Sequence, residues 1–523
     1  MVKKISVLVR DYPFVSALVL FSAFWFLVFV LSGSLFSGFH YIDDHEIIRI
    51  KRDLLSDNSF WKVASAWIRE DLYSTGRFRP FYFFHRVLEA RLFGDNFVIW
   101  SLYTGLLATL TSSFMFVFAK KIGLSMIESA LFVLVALVGV QASIWWRLGP
   151  NETIGMFFLS ASLLLAAAAS RVAGARRQII IEVTFVISAV LMSMSKESFV
   201  LLLPFIVLAR ILIEKILTQA SPQKVARHTI LGAVLLLVLF GWEIWFIRAV
   251  VGTDATGYAG VDSSNLGGFL ATLFSLVKMG GYYLVLLIGL ILAKWSGRTR
   301  EGEGHKFLNF SVVAVFVLAM LPQAYLYAKS GVYERYLLPG LIGMALAGAM
   351  LLKYIRTSGA RPLLYSFVTG LIIVCLVRQS FTMMVEARVF AFRGKSLNES
   401  FRAISSQTGQ DDMILVAADP AMDYEASYSI KQHLDIVEKR SNSYIFPLLK
   451  KTNYSSFDRG LIDKFSRFYG SKDIGSISDK SQIKLILIFP GSEATFLKQS
   501  EDWFDSDGYK KEAFGEYIVF VNN

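Results

Sequence analysis

The chain has 523 residues, 54% of them apolar and 18% charged, with a mean hydropathy of +0.51. A soluble domain carries about 45–50% apolar and about 25% charged residues, so a soluble enzyme, a disordered chain and a secreted disulfide scaffold are all excluded. The net charge of +12 fits the Lys and Arg excess of cytoplasmic loops in a membrane protein and argues against a nucleic-acid partner, while the lone Cys375 allows no intramolecular disulfide and no cysteine metal site.

The first apolar run, 13–36, follows a short basic head holding Lys3, Lys4 and Arg10. It is longer than the ~7–15-residue apolar core of a cleavable signal peptide, so it reads as a retained first span with a cytoplasmic N-terminus. Further runs of spanning type lie near 97–118, 126–144, 153–170, 179–194, 198–214, 229–250, 268–293, 307–326, 336–353 and 363–382. The expected architecture is therefore a polytopic α-helical membrane protein with about eleven transmembrane helices. Nineteen Lys and Arg fall on the segments this scheme assigns to the cytoplasm, against about five on the outer loops, which is a positive-inside bias. An odd number of spans then places everything after about residue 383 outside.

Residues 37–96 form a long first outer loop with nine basic and nine acidic residues, and its aromatics suit helices lying in the membrane interface. The division expected is thus a membrane module over 1–383, with this loop inserted, and an extracytoplasmic α/β domain over 384–523. In the tail, Ser396-x-x-Glu399 reads as a capping box opening a helix that Gly409 ends. Short Ile- and Val-rich runs at 413–417, 483–489 and 517–521 read as strands, and Ser455-x-x-Asp458 with Gly470 brackets another helix.

Charges near a membrane are costly and often mark function. Here they concentrate on the outer side: Asp43, Asp44, His45 and Glu46 after the first span, then Arg77, Arg79, His85 and Arg86 at the far end of the same loop. Arg147, Asn151 and Glu152 join the third and fourth spans, Lys196 and Glu197 the fifth and sixth, and Lys329, Glu334 and Arg335 the ninth and tenth. Each group has a plain structural alternative. Asp43 and Asp44 suit the first turn of an interfacial helix, Arg77 and Arg79 suit lipid headgroups, and Arg335 with Tyr336 suits an interface anchor. Arg147 can pair with Glu152 across Gly149-Pro150, and Lys196 with Glu197. Their shared side is the stronger argument. A carboxylate takes a proton from an acceptor hydroxyl, and Arg or Lys neutralises a phosphate leaving group, so the mixture suits glycosyl transfer from a polyprenyl-phosphate sugar.

At these residues the sequence resembles the GT-C superfamily of integral membrane glycosyltransferases. The acidic pair in Tyr41-Ile42-Asp43-Asp44 resembles the pair that follows the first span there. The stretch from Arg147 to Glu152 resembles the second acidic loop, and Tyr333-Glu334-Arg335-Tyr336-Leu337-Leu338-Pro339 is similar to an Arg-Tyr-x-x-Pro stretch opening a late span. The subgroup it is most similar to is the protein mannosyltransferase and aminoarabinose transferase type. The resemblance implies inverting transfer from a polyprenyl-phosphate-linked sugar to a lipid, glycan or protein acceptor, at the outer face of a bacterial cytoplasmic membrane. It makes Asp43 the base, with Asp44 beside it, and Glu152 the second acid. Arg335, Lys196 and Arg79 become the donor-phosphate ligands, with Arg77, His85, Arg147, Asn151, Tyr333 and Glu334 as further cavity residues. A divalent metal is an option; Asp43, Asp44 and Glu152 would hold it.

Two other classes compete. A transporter or flippase for an anionic lipid requires ionisable residues and broken helices at mid-membrane, for which Glu243 and Gly280-Gly281 are the candidates. A lipid-linked polysaccharide ligase or polymerase shares the substrate class. Convergence of the polar residues on one outward cavity favours transfer; a polar path through the membrane favours transport.

Overall fold

The computed structural model describes residues 12–40, 44–57, 59–74, 76–172, 174–251, 334–357, 362–450 and 472–522, with a few isolated helical positions besides. Asp43, Tyr333, the spans expected at 268–293 and 307–326, and most of the helix expected after Ser455 lie outside the described residues. The chain enters with α1 (Pro13–Ser32), which has proline in its first turn and ends where Gly33 turns left-handed at φ 80°. The long loop carries α2 (His45–Asp57), α3 (Phe60–Tyr73) and α4 (Pro80–Phe93). Then come α5 (Phe97–Lys121), capped by the Asn96 side chain, and α6 (Met126–Leu137), opened by a Ser125/Glu128 capping box. The bundle continues with α7 (Glu152–Ala169), α8 (Ala175–Ser193), the single turn α9 (Glu197–Val200), α10 (Leu203–Thr218) and α11 (Pro222–Phe246). It closes with α12 (Leu338–Thr357) and α13 (Pro362–Gln407).

Among the described residues, six helices are long and apolar enough to cross a membrane: α1, α5, α7, α11, α12 and α13. The run at 126–144 is not one helix. The 12 residues of α6 rise about 18 Å, short of a ~30 Å hydrocarbon layer. The backbone then breaks at Gly139 (φ 135°) and resumes as a 3-10 segment, Val140–Trp145. Apolar composition was the same on both sides of that break, so only the glycine marked it. At the centre Trp25 of α1 donates to Ser112 Oγ of α5 at 3.0 Å and meets Trp145 at 5.8 Å between ring centroids.

The loops assigned to the cytoplasm gather at one end of this bundle. Arg171 reaches the Lys121 carbonyl at 2.6 Å, Lys353 the Ile122 carbonyl at 3.2 Å, and Arg356 the Glu128 carboxylate at 2.7 Å. Not all of these cations stand alone at solvated loops. Arg210 is buried, with its guanidinium bonded to Glu182 and Ser170 at 2.9 Å each and to Glu214 at 2.9 Å, while His228 contacts Glu214 at 2.8 Å. Its partners come from several helices, a convergence that local charge spacing does not show.

The helix α13 does not stop at the membrane. Its 46 residues rise about 69 Å, so the last span and the first helix of the tail are one rod. The capping box expected at Ser396-x-x-Glu399 is therefore not a helix start. A cap needs a non-helical residue, and no proline or glycine pair interrupts the helix before it. Beyond Gln407 the chain turns back into a five-stranded sheet of order β2-β1-β3-β5-β4. These strands are β1 (Met413–Ala418), β2 (Ser443–Pro447), β3 (Ile483–Ile488), β4 (Tyr509–Phe514) and β5 (Tyr517–Asn522), with β1, β2 and β3 parallel. The three expected strands are β1, β3 and β5. The two unexpected ones are the edges: β2 has five residues, and β4 carries Lys510, Lys511 and Glu512, charges that suit an edge strand.

Leu397, Phe401 and Ile404 of α13 pack in one apolar cluster with Ile414, Val416, Leu485, Leu487 and Val519 of the sheet. Ile48 of α2 joins the same cluster, and His45 reaches Ser429 at 3.0 Å, so the long loop is wedged against the tail. Replacing Phe401, 4% exposed, by Ala leaves a cavity under the sheet and should cost about 3–5 kcal/mol of local stability. Hydrogen exchange on the full-length protein checks this: the amides of β1 and β3 should lose protection in Phe401→Ala while those of α5 and α7 keep theirs.

Candidate active site at the loop end of the bundle

The opposite end of the bundle is where the long loop docks. Pro80 starts α4, so Arg77 and Arg79 stand on the non-helical approach to a helix. Arg79 is buried and grips Asp71 of α3 through two hydrogen bonds, 2.5 and 3.1 Å, with its guanidinium over the rings of Tyr82 and Phe83. Arg77 Nε donates to Glu197 Oε1 at 3.3 Å, and the same oxygen accepts the Phe78 amide at 2.9 Å. The Phe81 amide donates to the Met194 carbonyl at 3.0 Å. These contacts sew the start of α4 onto the turn between α8 and α9. On the other side, the Tyr82 hydroxyl donates to Glu46 at 2.6 Å and lies 3.0 Å from the Gly149 carbonyl, tying α2 and α4 to the turn before α7.

Between these seams lies an ion pair. Lys196 Nζ donates to Glu152 Oε1 in a short contact, both side chains about 2% exposed. The ammonium also sits 4.1 Å from the ring centroid of Tyr336, whose hydroxyl accepts from Arg335 Nη2 at 3.3 Å. The local pairings that sequence spacing allowed are not the ones formed. Lys196 binds Glu152 instead of Glu197, Glu197 binds Arg77, and Arg147 lies over Phe390 of α13 at 4.2 Å.

Burial pulls the Lys196 ammonium down, the Glu152 carboxylate opposes this, and Arg77 and Arg335 lower it further, to about 8. Burial pushes the Glu197 carboxyl up, but Arg77, Arg79 and backbone N–H donors outweigh it and leave the group below its ordinary value. Asp71 goes the other way: burial holds it above the usual carboxylate range in spite of Arg79. His40 is lowered to about 3, by burial first and then by Arg147, and is neutral at physiological pH.

The structure thus brings Arg77, Arg79, Glu152, Lys196 and Arg335 into one linked network from four separate segments. Asn151 is buried next to Glu152 in sequence, and Asp44 is buried with its Oδ2 accepting the His40 amide at 2.6 Å. His85 turns elsewhere, to the Tyr103 hydroxyl at 2.7 Å and to Glu89. Glu334 opens the 3-10 turn that carries Arg335. Among the described residues no group of three or more His, Cys, Asp or Glu could hold a metal ion; of the three carboxylates named for one, Asp43 lies outside them. Sequence reading missed Asp71, Tyr82 and Tyr336 as members of the network. Asp71 had no signal, since it sits in an amphipathic helix among other charges, whereas Tyr336 lay inside the motif already singled out.

With two or more cations close together at a helix-bundle end and a carboxylate among them, the network can bind a phosphate oxygen and orient a hydroxyl. Removing one partner of a buried pair strands the other charge. Asp71→Asn should therefore destabilise the protein by about 3–5 kcal/mol through Arg79, read as a lower unfolding midpoint of the detergent-solubilised chain, and Asp71→Asn/Arg79→Met should recover part of the loss.

No family model matches the chain, and no curated protein matches it. Among solved structures it is similar to ArnT from Cupriavidus metallidurans bound to undecaprenyl phosphate, at 11% identity over 97% of this chain and 98% of that one, with a TM-score of 0.49. It is also similar to the Archaeoglobus fulgidus oligosaccharyltransferase. The apo form gives 10% identity over 98% of this chain and 75% of that one (TM-score 0.44), and the complex with Zn and sulfate 11% over 97% and 73% (TM-score 0.42).

Proposed function

We propose that this chain is an integral membrane glycosyltransferase that moves a sugar from a polyprenyl-phosphate donor to a hydroxyl acceptor, with inversion at the anomeric carbon. The observation that carries the reading is the meeting of Glu152, Arg77 and Arg335 around Lys196 at one end of the bundle, although the four come from four different parts of the chain. In this reading that end faces the outside of a bacterial cytoplasmic membrane, because the basic loops occupy the other. Arg335 and Lys196 take the donor phosphate, whose charge grows as the sugar leaves; Arg79, held by Asp71, adds positive field from behind. Asp43 takes the acceptor proton. Glu152 holds Lys196 in place and faces the acceptor.

The transport reading has less support. The two ion networks sit at opposite ends of α7, whose 18 residues rise about 27 Å. Between them α7 buries Ile154, Met156, Leu159, Leu163, Ala166 and Ala167, and its buried hydroxyls, Ser160 and Ser162, donate to carbonyls of their own helix.

Purified protein in proteoliposomes, offered a panel of polyprenyl-phosphate sugars and a hydroxyl acceptor extract, tests the function directly; no transfer from any donor refutes it. Asp43→Asn keeps the shape and removes the base, so kcat should fall roughly 10²–10⁴-fold. A wild-type rate in that variant ends the base assignment. Arg335→Ala should raise donor KM and lower kcat together, since the phosphate contact exists before and during reaction.

The pH dependence follows from Lys196. Its ammonium is charged below about 8 and loses the proton above it, so donor KM should rise as pH increases through about 8. Lys196→Arg keeps the charge across that range and should flatten the rise, as KM measured from pH 6.5 to 9.5 will show.

A further inference from the structure

The short segment that runs from α1 to the acidic pair is held by the tail helix. Asn398 of α13 donates from Nδ2 to the Phe39 carbonyl at 2.8 Å, to the Gly394 carbonyl at 2.6 Å and, at longer range, to the Ser37 carbonyl at 3.4 Å. The fit leaves no slack. Gly38 has φ 74°, and a Cβ there would stand 2.5 Å from the Asn398 amide nitrogen. One turn earlier on α13, a Cβ on Gly394 would stand 2.5 Å from His40 Cδ2. One turn earlier again, Phe390 meets the His40 ring at 4.3 Å between centroids. Positions 390, 394 and 398 are spaced by four, so they form one stripe on one helix face. His40 passes the constraint on: its Nε2 pairs with Ser37 Oγ at 2.8 Å, and its backbone N–H donates to Asp44 Oδ2 at 2.6 Å.

We propose that Asn398 is a positioning residue for the transfer reaction. Through the carbonyls of Ser37 and Phe39 and the His40 amide, the tail helix sets where Asp44 stands relative to Lys196 and Arg335. The inference rests on the glycosyltransferase reading for its catalytic consequence and on geometry alone for the clamp. The carbonyls that Asn398 holds belong to the segment before Asp44 and not to the phosphate ligands, so its loss should misplace the acid and leave donor binding alone. A displacement of about 1 Å at a reacting group can cost about 10²-fold in rate.

The test uses the full-length protein with Asn398→Ala and, because Ala also removes volume, Asn398→Asp, which keeps the shape and replaces the donor by an acceptor. The expected result in both is faster hydrogen exchange across 38–44, kcat lowered about 10–100-fold, and donor KM within about twofold of wild type. Unchanged exchange across 38–44 overturns the clamp. Loosened exchange with wild-type kcat, or a loss confined to KM, overturns the positioning role. If wild-type protein transfers no sugar, the functional reading fails on its own account, and the exchange comparison still decides the clamp.

Discussion

Everything at the loop end of this molecule depends on one buried contact, the ion pair between Lys196 and Glu152. Neither charge is solvated, so each requires the other, and neither turn can shift without exposing an uncompensated charge to an apolar surrounding. The pair thereby fixes the spacing of α7 from the α8–α9 turn. The α4 approach is then pinned to that turn through Glu197 and Met194, and to the turn before α7 through Tyr82. The site is assembled from loops, yet its loops have the rigidity of a packed core because their polar groups answer one another.

The two ends of the bundle solve the same problem differently. At the basic end, Arg210 shares two carboxylates, and with the hydroxyl of Ser170 the guanidinium is well supplied with acceptors. At the loop end, Arg77 and Arg335 both lower the proton affinity of Lys196 while Glu152 opposes them, so the ammonium is held by one carboxylate against two neighbouring guanidinium groups.

Much of the fold was legible because its signals are local. The apolar runs that became α1, α5, α7 and α11 and the Ile- and Val-rich runs that became β1, β3 and β5 all act within a few residues. The two losses have different causes: α13 runs on past Ser396 because Leu397 and Phe401 pack on the tail sheet, whereas α6 ends at a local signal, Gly139, inside an apolar run. The outer-side residues were identified as a set, while their pairing was not. Lys196 with Glu152 and Glu197 with Arg77 are contacts between segments, and no spacing rule within one loop foretells them. His85 shows the converse: a helix has two faces, and sequence proximity to Arg86 did not say which of them it takes.

The unbroken course of α13 changes what it means to speak of a separate tail. A chain cut near residue 384 would not release an intact outer domain. It would divide a single helix, strip the apolar side of Leu397 and Phe401 from its own backbone support, and free the segment before the acidic pair at the same stroke. Loss of activity on such truncation is thus no measure of acceptor recognition. The rod makes bundle, loop and sheet one mechanical object, in which a load applied to the sheet is felt at the membrane surface.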